Sequence, residues 1–466
     1  MSQAASPVEV YPQQDGAENY GLHAGVLGPM ETLAQSVSAM APSTSPSLTI
    51  PLVFALAGNA TWFVYLLATA ATLLVGFCVS RFARLSASPG SLYSYASDTL
   101  PPVFGVVAAW ALLLAYLATG ASVAGGALYY AGLLSQQFFH WTPPALATLA
   151  VVCAVAGWVA YRDVKLSAEL MLWIEVVSVC LILIVLAVMV FHFGFQLDLD
   201  QLRLKGTTIS SLGPALVLAM FSFVGFESAT TLGNEAREPL RTIPRAVIQC
   251  AILAGVFFML CSYSEVLGFR GESSKLSDST SPLHLLATKA GISPLGVAVD
   301  VGAFVSMFAC VLACTTAAAR VLLRMAHGGL LPKVLERTNK RHGTPGTAIA
   351  LCVGLMFAAT VAMALRGVAG SDMYDLIGSL SVFGFLTAYA LVAVALPFAH
   401  RAMGQHSHWV TAISVVTVLV MILIVIFDIQ SATDANHARI PWIYLAYIAA
   451  GLALYFVRRK GVVTDH

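Results

Sequence analysis

The stretch from Met220 to Val247 decides how this chain is read: Met220-Phe-Ser-Phe-Val-Gly225-Phe-Glu227-Ser-Ala-Thr-Thr-Leu-Gly-Asn-Glu235-Ala-Arg-Glu-Pro239-Leu-Arg-Thr-Ile-Pro-Arg-Ala-Val247. It begins inside an apolar run, meets a helix-breaking glycine at Gly225, sets a carboxylate two residues later, and leaves through a basic, proline-punctuated loop. A charge at the centre of a membrane helix costs about 2.5–3.5 kcal/mol on insertion scales, so it normally serves a function. A broken helix is tolerated at that depth only where protein or a water-filled cavity receives the freed backbone groups. The two oddities together point to a transport site.

The rest of the composition agrees. Of 466 residues, 58% are hydrophobic and 10% charged, and the mean hydropathy is +0.82. Soluble domains carry about 25% charged residues, so the chain is a polytopic membrane protein. A net charge of +1 with no basic patch interleaved with aromatics excludes a nucleic-acid partner. Eight cysteines lie in apolar runs without a CxxC pair, which reads as buried thiols rather than disulfides or a metal site. No cofactor is expected.

A membrane span needs about 20 apolar residues. Twelve stretches qualify: 28–57, 61–81, 103–134, 143–161, 166–192, 209–233, 243–267, 294–323, 344–365, 374–399, 409–429 and 439–457. Residues 1–25 are polar, slightly acidic and without Lys or Arg, and read as a cytoplasmic tail rather than a signal peptide. With the N-terminus inside, the inner segments collect Arg81, Arg84, Arg162, Lys165, Arg237, Arg241, Arg245, Arg320, Arg324, the 333–341 cluster, Arg401 and the 458–460 cluster. The outer loops keep only Arg203, Lys205, Arg270, Lys275, Lys289, Arg366 and Arg439. That bias sets both termini in the cytoplasm.

Span 1 is interrupted as span 6 is. Ala41-Pro42-Ser43-Thr44-Ser45-Pro46 places two prolines around three hydroxyl side chains. Each proline removes a helix donor and disfavours the helical conformation before it. The hydroxyls either satisfy freed backbone groups at a plain kink or meet a polar ligand. The two breaks open two five-span blocks, 1–5 and 6–10, of opposite orientation. Paired interruptions of this kind mark a transporter's binding site. Spans 3 and 10 are rich in small residues (Gly120, Gly125, Gly126; Gly378, Gly384), as close helix packing in lipid requires. Pro89-Gly90 signals a turn, with Tyr93 and Tyr95 suited to an interfacial belt. Residues 281–291 read as a short outer helix lying on the bundle.

Four segments carry a family resemblance: Phe223-Val-Gly-Phe-Glu227 running into Asn234-Glu-Ala-Arg-Glu-Pro-Leu-Arg-Thr-Ile-Pro-Arg-Ala246; Pro89-Gly-Ser-Leu-Tyr-Ser-Tyr95; Tyr161-Arg-Asp-Val-Lys165-Leu-Ser-Ala168; and Ala318-Ala-Arg320 through His327-Gly-Gly-Leu-Leu-Pro332. In these the chain resembles the amino acid–polyamine–organocation permeases. The resemblance implies an all-α fold of twelve transmembrane helices: a 5+5 inverted-repeat core over residues 26–400, with helices 1 and 6 broken, plus two peripheral helices within 401–466. It implies a secondary transporter that holds its substrate at Pro42, Ser43, Thr44 and Ser45 of span 1 and at Phe223, Val224, Gly225, Phe226 and Glu227 of span 6. One departure stands out: many members carry a glycine-rich break in span 1, where free amides hold an α-carboxylate. Prolines supply no amide, which leaves an amine substrate open.

Within that frame Glu227 binds a substrate ammonium or exchanges a proton, or else caps the half-helix or pairs with a neighbouring donor. A lysine matching Lys165 occupies the space of a sodium ion in some proton-coupled relatives, which makes Lys165 a proton-coupling candidate with Glu227; the alternative is a surface pair with Glu169. Glu175, mid-membrane in span 5, serves an interhelical hydrogen bond or transport. Asp300 and Glu265 lie near outer span ends, where solvent or loops are expected to satisfy them. Phe221, Phe223 and Phe226 form a lid or simply pack. No HExxH motif or nucleophile–base cluster indicates an enzyme, and paired helix breaks do not describe a channel. The expected function is uptake of an amino acid across the plasma membrane, in bacteria the inner membrane, by alternating access, with H+ as coupling ion; an amine or polyamine permease or an exchanger is the alternative.

Overall fold

In lipid every backbone polar group must find its partner within the protein, so apolar spans of this length become helices. The computed structural model describes residues 20–193, 197–270, 275–405, 407–431 and 435–464; most of the expected 1–25 tail lies outside them. The helices in order are α1 (Pro29–Met40), α2 (Ile50–Ala57), α3 (Thr61–Ala83), α4 (Leu92–Ser97), α5 (Pro102–Phe139), α6 (Ala145–Arg162), α7 (Val164–Phe193), α8 (Leu199–Leu202), α9 (Ile209–Phe221), α10 (Pro239–Gly268), α11 (Pro282–Lys289), α12 (Ser293–His327), α13 (Gly346–Ala364), α14 (Gly370–Ala402), α15 (His408–Ser431) and α16 (Ile440–Thr464). Ten described stretches are long and apolar enough to cross a membrane; the first, Pro29–Ala83, is the run of α1, α2 and α3, while α9 is shorter. Each of the twelve expected spans contains helix. The first and sixth differ from the rest because their helices stop midway.

Helices α5, α12 and α14 form the interior, and small residues let them approach. A Cβ on Gly384 of α14 would sit 2.6 Å from the Ala111 carbonyl oxygen of α5, so only glycine fits there. The outer surface is apolar, with Trp158, Trp173, Trp409 and Trp442 all exposed, as expected of side chains facing lipid rather than water. All eight cysteines are free, and only Cys180 is exposed.

The 89–95 segment corrects one expectation. Tyr93 and Tyr95 are buried, and Tyr95 stacks on Phe82 at 5.1 Å between centroids, so they face the protein rather than the interface. The loop tucks inward because Ser91 Oγ contacts Thr230 Oγ1 at the end of the broken sixth span. The short helix expected in 281–291 is α11, which rides on α12. There Asp300 accepts from Ser281 Oγ (2.5 Å) and lies 2.5 Å from His284 Nδ1, so the segment around α11 satisfies it, as expected of a loop.

At the opposite end from the N-terminus, Asp198 ties the α7–α9 connection to α10. It accepts from the Asp200 and Gln201 amides (3.1 and 3.2 Å) and from the Arg270 guanidinium, which also reaches Asn59 at 2.9 Å. Burial pushes the Asp198 carboxyl up, but hydrogen bonds from Gln201 and Arg270 outweigh it and hold the group below its usual range. A depressed folded value means the stabilisation is complete above the ordinary carboxylate pKa of about 3.9 and is lost as pH falls through the lower folded value. Hydrogen exchange of residues 198–205 should therefore be flat from neutral pH to about 4, once corrected for intrinsic rates, and accelerate only below it. Loosening already at pH 6 would contradict this.

Candidate substrate site

The first break follows from its prolines. Helix α1 ends at Met40, Ala41 takes a left-handed conformation (φ 47°), and the chain re-forms as a single π-helical turn, Ser45–Thr49, before α2. Pro42 and Pro46 cannot donate, and the residue before a proline is pushed out of the helical region. The second break follows from glycine. Helix α9 stops at Phe221, Gly225 adopts φ 88°, and only a 3₁₀ turn, Ser228–Leu232, remains before the loop to α10. The expected second half-helix is this short turn.

The tertiary fold brings the two breaks into contact. A Cβ on Gly225 would lie 3.0 Å from both Cβ and the carbonyl oxygen of Ala39, so the position demands glycine for its φ and for the approach. Ser228 Oγ donates to the Gln35 carbonyl (2.9 Å), the Ala229 amide donates to Ser36 Oγ (2.9 Å), and Gln35 Nε2 donates to the Ala313 carbonyl of α12 (2.9 Å). These bonds replace those that the unwinding forfeits. Gly225→Ala is expected to cost about 1–3 kcal/mol in strain and to abolish uptake while the protein still purifies as a monodisperse species. Wild-type uptake in that variant would disprove the close contact.

Every residue expected at the breaks is buried: Pro42, Ser43, Thr44 and Ser45, and Phe223, Val224, Gly225, Phe226 and Glu227. Among the described residues, Ser38 Oγ, Ser43 Oγ, Thr44 Oγ1 and, on α5, Thr119 Oγ1 have no hydrogen-bond partner. Buried hydroxyls without partners are uncommon and call for an explanation, for which a ligand suffices. Glu227 is fully buried between two tyrosines. Oε1 accepts from the Tyr116 hydroxyl of α5 (2.9 Å) and Oε2 from the Tyr389 hydroxyl of α14 (2.5 Å). The phenylalanine rings meet different aromatic partners: Phe221 meets Tyr374, Phe223 meets Phe258 and Tyr65, and Phe226 meets Tyr389.

Lys165 is not drawn into this arrangement. Its ammonium is half-exposed and pairs with Glu169 at 3.6 Å, one turn along α7. A lysine at the start of a helix reaches polar surroundings more cheaply than a buried pocket. Glu175 is buried, and both its oxygens accept from Ser306 Oγ of α12 (3.0 and 2.9 Å), the interhelical hydrogen bond. Sequence reasoning missed the tyrosine clamp, although lone tyrosines inside apolar spans 3 and 10 are a usable signal. It also missed Glu235, which receives Arg320 through two parallel bonds of 2.6 Å, with both side chains buried. The backbone joins the same region: the Leu27 amide donates to the Glu235 carbonyl at 2.9 Å and the Arg237 amide to the Leu27 carbonyl at 2.8 Å.

A helical membrane bundle with two helices unwound against each other around a buried carboxylate defines a transporter rather than an enzyme. The chain belongs to the amino acid permease family, whose model matches residues 27–453. It is 28% identical over 405 residues to an uncharacterized transporter of Mycobacterium tuberculosis (84% of this chain, 83% of the relative). It is 23% identical over 361 residues to the branched-chain amino acid permease BcaP of Bacillus subtilis (73% of each), and 29% identical over 286 residues to the low-affinity putrescine importer PlaP of Escherichia coli (58% and 60%). Among solved structures, a manganese transporter of Eremococcus coleocola superposes over 100% of this chain and 99% of its own with a TM-score of 0.59 at 14% identity, a likeness of fold alone.

Proposed function

We propose that this permease takes up an amino acid across the plasma membrane by alternating access, driven by proton symport. The observation that carries the reading is the set of unpartnered hydroxyls, Ser43 and Thr44, at a break that touches Gly225 two residues from a buried carboxyl. Those hydroxyls and the unwound backbone of Phe223–Glu227 supply the polar contacts for the α-amino and α-carboxylate groups. Val224 and Phe226 bound the side-chain pocket. The transport core spans 26–400, 401–466 supply two peripheral helices, and both termini face the cytoplasm. Glu227 is the proton carrier of this proposal, since two hydroxyl partners let its carboxyl gain or lose a proton without moving. Lys165, at the surface, is left with a pair worth about 0–1 kcal/mol.

Similarity to both an amino acid permease and a putrescine importer supports a second reading, an amine or polyamine permease or exchanger, in which Glu227 takes the cationic group. Proteoliposomes loaded at high pH and challenged at low pH with labelled leucine, lysine or putrescine separate the two. Accumulation of neither amino acid would end the first reading. In the same assay Lys165→Ala is expected to keep its response to the pH gradient. Loss of that response would return the coupling role to Lys165.

A further inference from the structure

Glu265 stands near the end of α10, fully buried, and neither of its carboxyl oxygens has a hydrogen-bond partner among the described residues. This overturns the expectation that solvent or a loop satisfies it. Gly268, one turn on, packs under Leu286 of α11 and Met189 of α7, which seal that end of the helix. Two turns back, Phe258 lies 5.7 Å from the Tyr65 ring of α3. Titratable neighbours of Glu265 among the described residues include Tyr65 of α3 and Cys261 of its own helix. The ionisable groups at this end are engaged elsewhere: Arg270 with Asp198 and Asn59, His284 with Asp300, and Lys289 over the Phe269 ring. On α7, Glu175 holds Ser306, and the π-helical turn of span 1 offers only Ser45, Ser47 and Thr49.

An ionised carboxylate so buried, with neither donor nor cation among the described residues, is far costlier than the neutral acid. An ionisable residue within a membrane span is a functional-site hypothesis by default. Tyr65 in turn reaches the broken sixth span: its hydroxyl is 3.2 Å from Ser222 Oγ, the residue at which span 6 begins to unwind. On the span 1 side, Thr49 Oγ1 lies 2.8 Å from the Tyr374 hydroxyl of α14.

We propose that Glu265 is a second proton-binding site of the transport cycle. Its carboxylate takes a proton from hydronium when water reaches it, holds that proton while buried as it is here, and returns it to water when rearrangement of span 6 parts Tyr65 from Ser222. The inference rests on the proton-coupled reading, and the test separates the two.

Purified wild-type protein, Glu265→Gln and Glu265→Asp are compared by pH-difference infrared spectroscopy without substrate, then in proteoliposomes with labelled leucine under a pH gradient and in counterflow. The expected result is a protonated-carboxyl band present in wild type and absent in Glu265→Gln. Gradient-driven uptake by that variant should fall about tenfold, toward the counterflow level. Retained counterflow reports that it folds, and Glu265→Asp should restore part of the gradient response. A carboxyl spectrum of Glu265→Gln identical to that of wild type overturns the inference, as does gradient-driven uptake equal to wild type. If the wild type itself ignores the pH gradient, proton coupling fails and this inference with it. If the wild type responds and Glu265→Gln responds equally, only the assignment to Glu265 fails.

Discussion

Glu235→Ala is expected to lower the stability of the detergent-purified protein by about 3–5 kcal/mol, the penalty for leaving one member of a buried ion pair without its partner. Arg320 is 1% exposed, and its other bond, to the Thr316 carbonyl at 2.9 Å, leaves the charge uncompensated. The pair joins the chain just after the broken sixth span to α12, near the point where Leu27 leads into α1. Thermal unfolding of Glu235→Ala, Arg320→Ala and the double variant checks this through a double-mutant cycle. Because the harm comes from the orphaned charge, the double variant should be more stable than either single one. Equal melting of the Glu235→Ala protein and wild type would mean that water reaches the pair. Because the same pair ties the chain after the broken sixth span to α12, Arg320→Ala is also expected to raise substrate-independent leak from loaded vesicles.

The second large effect is expected at Glu227. Glu227→Gln keeps the shape of the side chain, and a tyrosine hydroxyl can turn to accept from the new amide, so the fold should lose no more than about 1 kcal/mol. What disappears is the charge. Hydrogen bonds to charged groups contribute about 1.5–3 kcal/mol, which corresponds to a loss of about ten- to a hundredfold in uptake. Response to the pH gradient should vanish with it. Tyr389→Phe leaves Oε2 of Glu227 without its 2.5 Å donor and Tyr116→Phe leaves Oε1 without its 2.9 Å donor. Each should cost about 1–3 kcal/mol of stability as well as uptake, so melting curves distinguish them from Glu227→Gln. Uptake by Glu227→Gln at the wild-type rate would remove this carboxyl from the mechanism.

The sequence by itself determined that the chain spans a membrane as helices, where those helices lie, and which two are broken. Each of these follows from local chemistry: runs of apolar residues long enough for a bilayer, prolines that cannot donate at 42 and 46, and a glycine at 225 whose φ other residues resist. Hydropathy and breakers act over a few residues, so they can be read from a few residues. Partnership is different. That Tyr116 and Tyr389, one on α5 and one on α14, close on Glu227 is invisible to any local pattern. The same is true of Glu235 meeting Arg320 across 85 residues of chain. Lys165 and Glu265 show this limit in opposite directions. Both are single charges at the ends of apolar spans, yet packing leaves the first at the surface with Glu169 and seals the second where no donor among the described residues reaches it. Only the tertiary structure decided between them, because the cost of a charge is set by its neighbours in space, and in this chain those neighbours come from other helices.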